Sequence, residues 1–159
     1  MVTIRKGTET DLDDFFELYW LSATEHTNYF KYDQLKEKDV CRQNVIEMER
    51  KELQNSNHLF YVAETDGKII GVATGHIGPR DEIETAKYET EGCVDEICVA
   101  REYRKNGVGK QLLNALCDDL FGRGLEFIFL GVAANNKAVK FYEDNGWKVK
   151  SHWMVKTKW

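Results

Sequence analysis

The hexapeptide Arg104-Lys105-Asn106-Gly107-Val108-Gly109 has the make-up of an anion cradle. Glycine lets a backbone come close to a ligand, and the start of a helix presents amides that no intrahelical carbonyl accepts. Val108, Leu112, Leu113, Leu116 and Leu120 recur at helical spacing, so a helix begins where the cradle ends. Pyrophosphate is the ligand such a site suits. A P-loop would need Gly where Arg104 stands and Ser or Thr where Gln111 stands. A dinucleotide fingerprint would need a third Gly at Leu112, in the first strand–helix turn of the chain rather than this late.

Other reactive side chains are scattered. Cys41, Cys93, Cys98 and Cys117 share no close spacing with one another or with His26, His58, His76 and His152. Metal sites usually show close ligand pairs, so no metal is expected, and free thiols in a reducing compartment are the simpler reading. The net charge of −5 contains no basic block, which argues against nucleic acid and suits a cationic partner. No apolar run approaches the ~20 residues of a membrane span. Met1 to Lys6 lacks the apolar stretch of a signal peptide, so a cytoplasmic protein without membrane contact is expected.

At 159 residues, 42% of them hydrophobic, the chain suits one domain covering residues 1–159 with a core of its own. Residues 2–6 read as a first strand. Thr10 and Asp13 suggest a capping box before a helical stripe of Leu12, Phe15, Phe16 and Tyr19. A second helix is expected within residues 32–55, with Val40, Asn44, Val45 and Met48 on its less polar face. Residues 58–63 and 68–73 flank Asp66-Gly67 as a hairpin, and residues 78–92 read as a long polar loop. Residues 93–99 form a fourth strand. The cradle helix follows, then a strand over residues 126–132 apolar enough to be buried on both faces. Residues 137–145 suggest a short helix stopped by Gly146, and residues 147–149 and 152–156 two closing strands. The expected order is βααβββαβαββ, an α/β domain around one mixed sheet.

Val99 followed five residues later by Arg104-x-x-Gly107-x-Gly109 resembles the acetyl-CoA motif of the GNAT superfamily of N-acetyltransferases. Asn135-x-x-Ala138-x-x-Phe141-Tyr142-x-x-x-Gly146-Trp147 resembles that family's second signature, at a fitting distance along the chain. Residues 94–104, with the acidic pair Asp95-Glu96, are similar to diamine and polyamine acetyltransferases.

The resemblance implies a single GNAT-like domain: a mixed, mostly antiparallel sheet with splayed central strands, flanked by helices. Pantetheine would lie in the splay against the backbone of Ile97, Cys98 and Val99, an arrangement akin to strand addition. Amides from Lys105, Asn106, Gly107, Val108, Gly109 and Lys110 would receive the pyrophosphate, with Arg104 adding charge and Asn135 touching the cosubstrate. Asp95, favoured by its family position, or Glu96 would take the amine proton, directly or through water. Strand alternation sends the two side chains to opposite faces unless a bulge intervenes. Tyr142 occupies the place of a general acid for the departing thiolate. Cys98 is a poor nucleophile candidate, since no histidine lies in the motif to activate it.

The function these features imply is acetyl transfer from acetyl-CoA to a small cationic amine: a polyamine, diamine or amino sugar. The alternatives are a peptide or protein amine and an acyl-CoA-binding sensor without turnover. Trp153 and Trp159 offer an apolar patch on which a homodimer could form.

Overall fold

A computed structural model describes residues 1–30, 33–80, 87–156 and 158. The elements run β1 (Thr3–Lys6), α1 (Leu12–His26), α2 (Lys38–Glu52), β2 (His58–Thr65), β3 (Lys68–Pro79), β4 (Thr90–Val99), α3 (Val108–Gly122), β5 (Ile128–Leu130) and α4 (Ala138–Asp144). The sheet is five-stranded in the order β1-β2-β3-β4-β5. Its first three pairings are antiparallel, and β4 with β5 is parallel. Asp66 and Gly67 close the β2–β3 hairpin with φ of 50° and 73°, as its turn requires.

Each face of the sheet carries an apolar layer. The stripe Val108, Leu112, Leu113, Leu116 and Leu120 of α3 is fully buried against Ile70, Ala73 and Val94. At roughly 1.5–3 kcal/mol for each large side chain removed from water, this stripe holds the cradle's helix firmly to the sheet. Leu12, Phe15 and Leu18 of α1 cover the other face over Val62, Val72 and Cys98.

The capping box lies two residues earlier than expected. The Thr8 amide and hydroxyl donate to Asp11 Oδ2 at 2.8 and 3.0 Å, and Arg5 grips both Asp11 oxygens at 2.9 and 2.8 Å. Asp11 takes the place expected of Asp13 because Arg5 of β1 pairs with it, whereas Asp13 pairs with Arg42 of α2 at 2.6 Å. The Arg5 bonds, against the cost of burial and with help from Thr8, hold Asp11 at about 2 instead of 3.8. A depressed pKa stabilises the fold above the ordinary carboxylate range, and that stability is lost as pH falls toward 2. Asp11→Asn should therefore cost about 2 kcal/mol near neutral pH. Urea unfolding should show the wild-type advantage shrinking as pH falls below about 4.

Four further expectations are corrected. Helix α2 turns Val45, Ile46 and Glu49 inward, while Val40 and Met48 are about half exposed. Glu49 is buried because His58 Nε2 meets its Oε1 at 2.7 Å. Burial works against the His58 imidazolium, and the Glu49 bond and charge outweigh it, so the His58 pKa is raised. The polar stretch at 78–92 is shorter as a loop, since β3 runs to Pro79 and β4 starts at Thr90; residues 81–86 of it lie outside the described residues. Residues 147–149 and 152–156 form no strand, which leaves Val149, Trp153, Met154 and Val155 exposed. Strand β5 is correspondingly an edge strand of three residues, with Phe129 40% exposed rather than buried on both faces. Its apolar run presupposed a neighbour on the far side. Trp159 lies outside the described residues. Among the described residues no helix is long and apolar enough to cross a membrane.

Candidate active site

The cradle forms where β4 hands over to α3. Lys105 and Gly107 take positive φ, 64° and 81°, and Gly107 is the N-cap of α3. Glycine at the N-cap leaves no side chain to occupy the first amides. The first bond of the helical ladder runs from Gln111 N–H to Gly107 C=O at 3.1 Å. The amides of Val108, Gly109 and Lys110 precede it and have no intrahelical acceptor. Gly109 packs beside α4, where a Cβ would stand 3.7 Å from Phe141 and Val99 side-chain atoms. Arg104 donates to Val99 C=O at 2.8 Å and pairs with Glu25 at 3.0 Å. Its guanidinium ties the loop to β4 and α1, so its part here is to shape the cradle.

Beside the cradle the sheet opens. Strand β5 follows β4 only through Gly92–Ile128, Cys93–Phe129 and Val94–Leu130. Beyond Val94 the two chains part around a cleft of ≈ 290 Å³. Asp95, Glu96 and Ile97 line one wall, and Gly131, Val132 and Ala133 line the other. His26, Tyr29 and Asp33 from the end of α1 and the segment after it complete the rim, with Tyr142 at the α4 side. The edge of β4 that faces away from β3 is thereby left open at Ile97, where an extended amide chain can lie.

A bulge decides where the acidic pair points. Thr74 pairs with Glu96 and Gly75 with Val94, so Asp95 is the extra residue. The bulge shifts the alternation: Val94 and Ile97 pack toward α3, whereas Cys98 packs toward α1. Glu96 points to the α1 side and accepts a 2.9 Å bond from Ser22 Oγ. Burial raises its pKa, opposed by the Ser22 bond and by the nearby His26. Asp95 is exposed, and His76 Nδ1 lies 2.9 and 2.8 Å from its two oxygens. Both carboxylates line the cleft.

Tyr142 lies edge-on between Phe141 and Trp147, at 5.2 and 6.0 Å between ring centres. Its hydroxyl has no hydrogen-bond partner among the described residues, and burial, then the charge of Glu96, pushes it up to about 12. Cys98 is 5% exposed and its thiol is pushed up to about 12, chiefly by burial. A buried neutral thiol cannot serve as a nucleophile. Asn135 is exposed and donates to Tyr29 C=O at 3.3 Å, bridging the cleft's rim. The neighbouring Asn136 lines the cleft and accepts from Ala138 N–H at 2.8 Å, which starts α4.

An acetyltransferase (GNAT) family model matches residues 12–147, which includes both walls of the cleft and the cradle. The chain belongs to the GNAT acetyltransferase family. An uncharacterized N-acetyltransferase of Methanocaldococcus jannaschii is 29% identical over 149 residues, covering 93% of this chain and 61% of that protein. The chain thus spans less than two thirds of this relative's length. Among solved structures, a tetramutant of a Bacillus halodurans protein superposes with a TM-score of 0.86 at 17% identity, covering 98% of this chain and 99% of that one. A predicted acetyltransferase from Clostridium acetobutylicum, solved with acetyl-CoA, has a TM-score of 0.78 at 16% identity, covering 99% and 96%. Both share the fold of this GNAT chain.

Sequence reasoning did not single out Ser22, His26, Tyr29, Asp33 or His76 as parts of the site. Their spacing carried no signal, because α1 and the segment after it reach the cleft only through tertiary packing, and His76 meets Asp95 only through the β3–β4 pairing.

Proposed function

We propose that this GNAT chain transfers the acetyl group of acetyl-CoA to the primary amine of a small cation such as a polyamine, a diamine or an amino sugar. The observation that carries this is the open seam between β4 and β5, with the amide cradle at one end and Glu96 and Tyr142 facing into it. The fit of acetyl-CoA rests on the uncapped amides at Val108, Gly109 and Lys110 for its pyrophosphate and on the open β4 edge for its pantetheine.

Bound acetyl-CoA supplies a thioester whose carbonyl carbon accepts the amine lone pair as the carbon–sulfur bond breaks. The protein's work lies on either side of that event. A lysine-like amine with pKa ~10.4 is roughly 0.04% free base near pH 7, so a proton must be removed. We assign this to Glu96, directly or through water: burial makes it a stronger base than an exposed carboxylate, and Ser22 orients it. Both Asp95 oxygens face His76, which suits Asp95 to attracting the substrate. Asp33, Asp95 and Glu96 make the cleft favourable for a cation. Tyr142 donates a hydrogen bond to the sulfur as it gains charge.

Thiol release from acetyl-CoA, measured across polyamines, diamines, amino sugars and lysine peptides, tests the reading. Small polycations should be turned over with the highest kcat/KM. Preference for peptides would move the substrate to a protein amine, and absence of turnover with every amine would make the chain a binding module. The cradle is tested separately. Gly107→Val forces a β-branched residue into the left-handed region, at a cost of about 1–2 kcal/mol, and turns the neighbouring amides away. Calorimetry should show acetyl-CoA affinity reduced at least about tenfold in a variant whose circular dichroism is unchanged. Undiminished affinity in that folded variant would overturn the cradle.

A further inference from the structure

His76 on β3 stands opposite Cys93 on β4, and cross-strand partners carry their side chains on one face of the sheet. The bulge adds Asp95 to this pair. One donor atom from each of the three, imidazole nitrogen, thiol sulfur and carboxylate oxygen, lies within 4.8 Å of the other two. Tetrahedral zinc, with bonds of about 2.0–2.3 Å, holds its ligand atoms roughly 3.3–3.8 Å apart, so modest side-chain rotations close the set. Nitrogen, sulfur and oxygen donors together suit zinc(II), and the half-exposed His76 and exposed Asp95 leave a way in and a fourth position for water.

We propose that His76, Cys93 and Asp95 form a zinc(II) site on the lip of the cleft, and that zinc bound there inhibits the enzyme. Zinc takes the place of the Cys93 thiol proton, which leaves to solvent. His76 binds through Nδ1 once its proton moves to Nε2, and the Nδ1 bond to Asp95 is exchanged for bonds from both groups to the metal. The inhibitory half rests on the acetyl-transfer reading. Asp95 also lines the cleft, and zinc with its thiolate and carboxylate ligands makes a neutral set, so the negative charge that draws a cationic amine there is lost. Inhibition should be competitive with the amine and indifferent to acetyl-CoA. The sequence concealed this set, because residues 76, 93 and 95 meet only across the β3–β4 pairing.

Cobalt(II) titration of the full chain, followed optically, tests the site without reference to turnover. A thiolate-to-cobalt charge-transfer band should rise to one equivalent and be bleached by zinc. It should vanish in Cys93→Ser, and cobalt affinity should fall at least about tenfold in His76→Gln. No band in wild type, or a band that persists in Cys93→Ser and so belongs to Cys41, Cys98 or Cys117, would overturn the site. Should Cys93→Ser fail to fold, Cys93→Ala and His76→Gln carry the same test. Turnover is the second arm: zinc should raise the amine KM of wild type severalfold and leave that of Cys93→Ser unchanged. Zinc binding through Cys93 without that rise would overturn the inhibitory role alone. If no amine is acetylated at all, the cobalt result still decides the site.

Discussion

Glu96→Gln should lower kcat by about 10²–10⁴-fold, the range for loss of a general base, with acetyl-CoA affinity changed by less than about twofold. The amide keeps the size of the side chain and can still receive the Ser22 hydroxyl at its oxygen, so the local packing survives. What it cannot do is hold the amine's proton. Asp95→Asn is the informative companion, because its carboxylate is exposed and already faces His76. That variant should chiefly raise the amine KM, with kcat altered by less than about tenfold. Steady-state kcat and KM for both variants, beside calorimetric acetyl-CoA affinity, make the check. An unchanged kcat in Glu96→Gln would return proton removal to Asp95 or to water.

Tyr142→Phe should lower kcat by roughly 30- to 1000-fold, equivalent to about 2–4 kcal/mol of barrier. With its hydroxyl pushed up to about 12, Tyr142 is a weaker acid than an ordinary tyrosine. Full proton transfer to a thiolate near ~8.5 would be uphill by about 5 kcal/mol. A hydrogen bond to the developing negative charge needs no such transfer, and the hydroxyl has no competing partner among the described residues. The phenylalanine ring should keep its edge contacts with Phe141 and Trp147, so α4 stays in place. Acetyl-CoA affinity should change little, since a thioester sulfur is a weak acceptor before the bond breaks. Single-turnover rates beside cofactor affinity, on a variant shown to be folded, provide the measurement. Equal rates in the two proteins would remove Tyr142 from the mechanism.

Much of this was legible from residues alone because the determinants are local. The α3 stripe needs only its spacing, and every member of it is buried. Asp66-Gly67 selects its turn from two residues, and Gly107-x-Gly109 marks the start of a helix without reference to any partner. The same locality explains the misplaced features. The choice of Asp11 over Asp13 was made by Arg5, the inward turn of Glu49 by His58, and the exposure of Phe129 by a strand that does not form beside it. In each case what decides lies outside the element whose pattern was read.

By itself, the sequence determined the α/β class, the hairpin, the glycine turn that opens α3 and the two signatures of the family. These are properties of short segments, where periodicity, turn geometry and glycine placement act within a few residues. Tertiary structure alone decided that β4 and β5 part after Val94, and that a bulge at Asp95 shifts the strand's alternation so that Glu96 faces Ser22. It also decided that His76, Cys93 and Asp95 meet. Strand register is set by the burial of whole faces, and a one-residue offset redirects every side chain beyond it, so no local pattern could announce these three results.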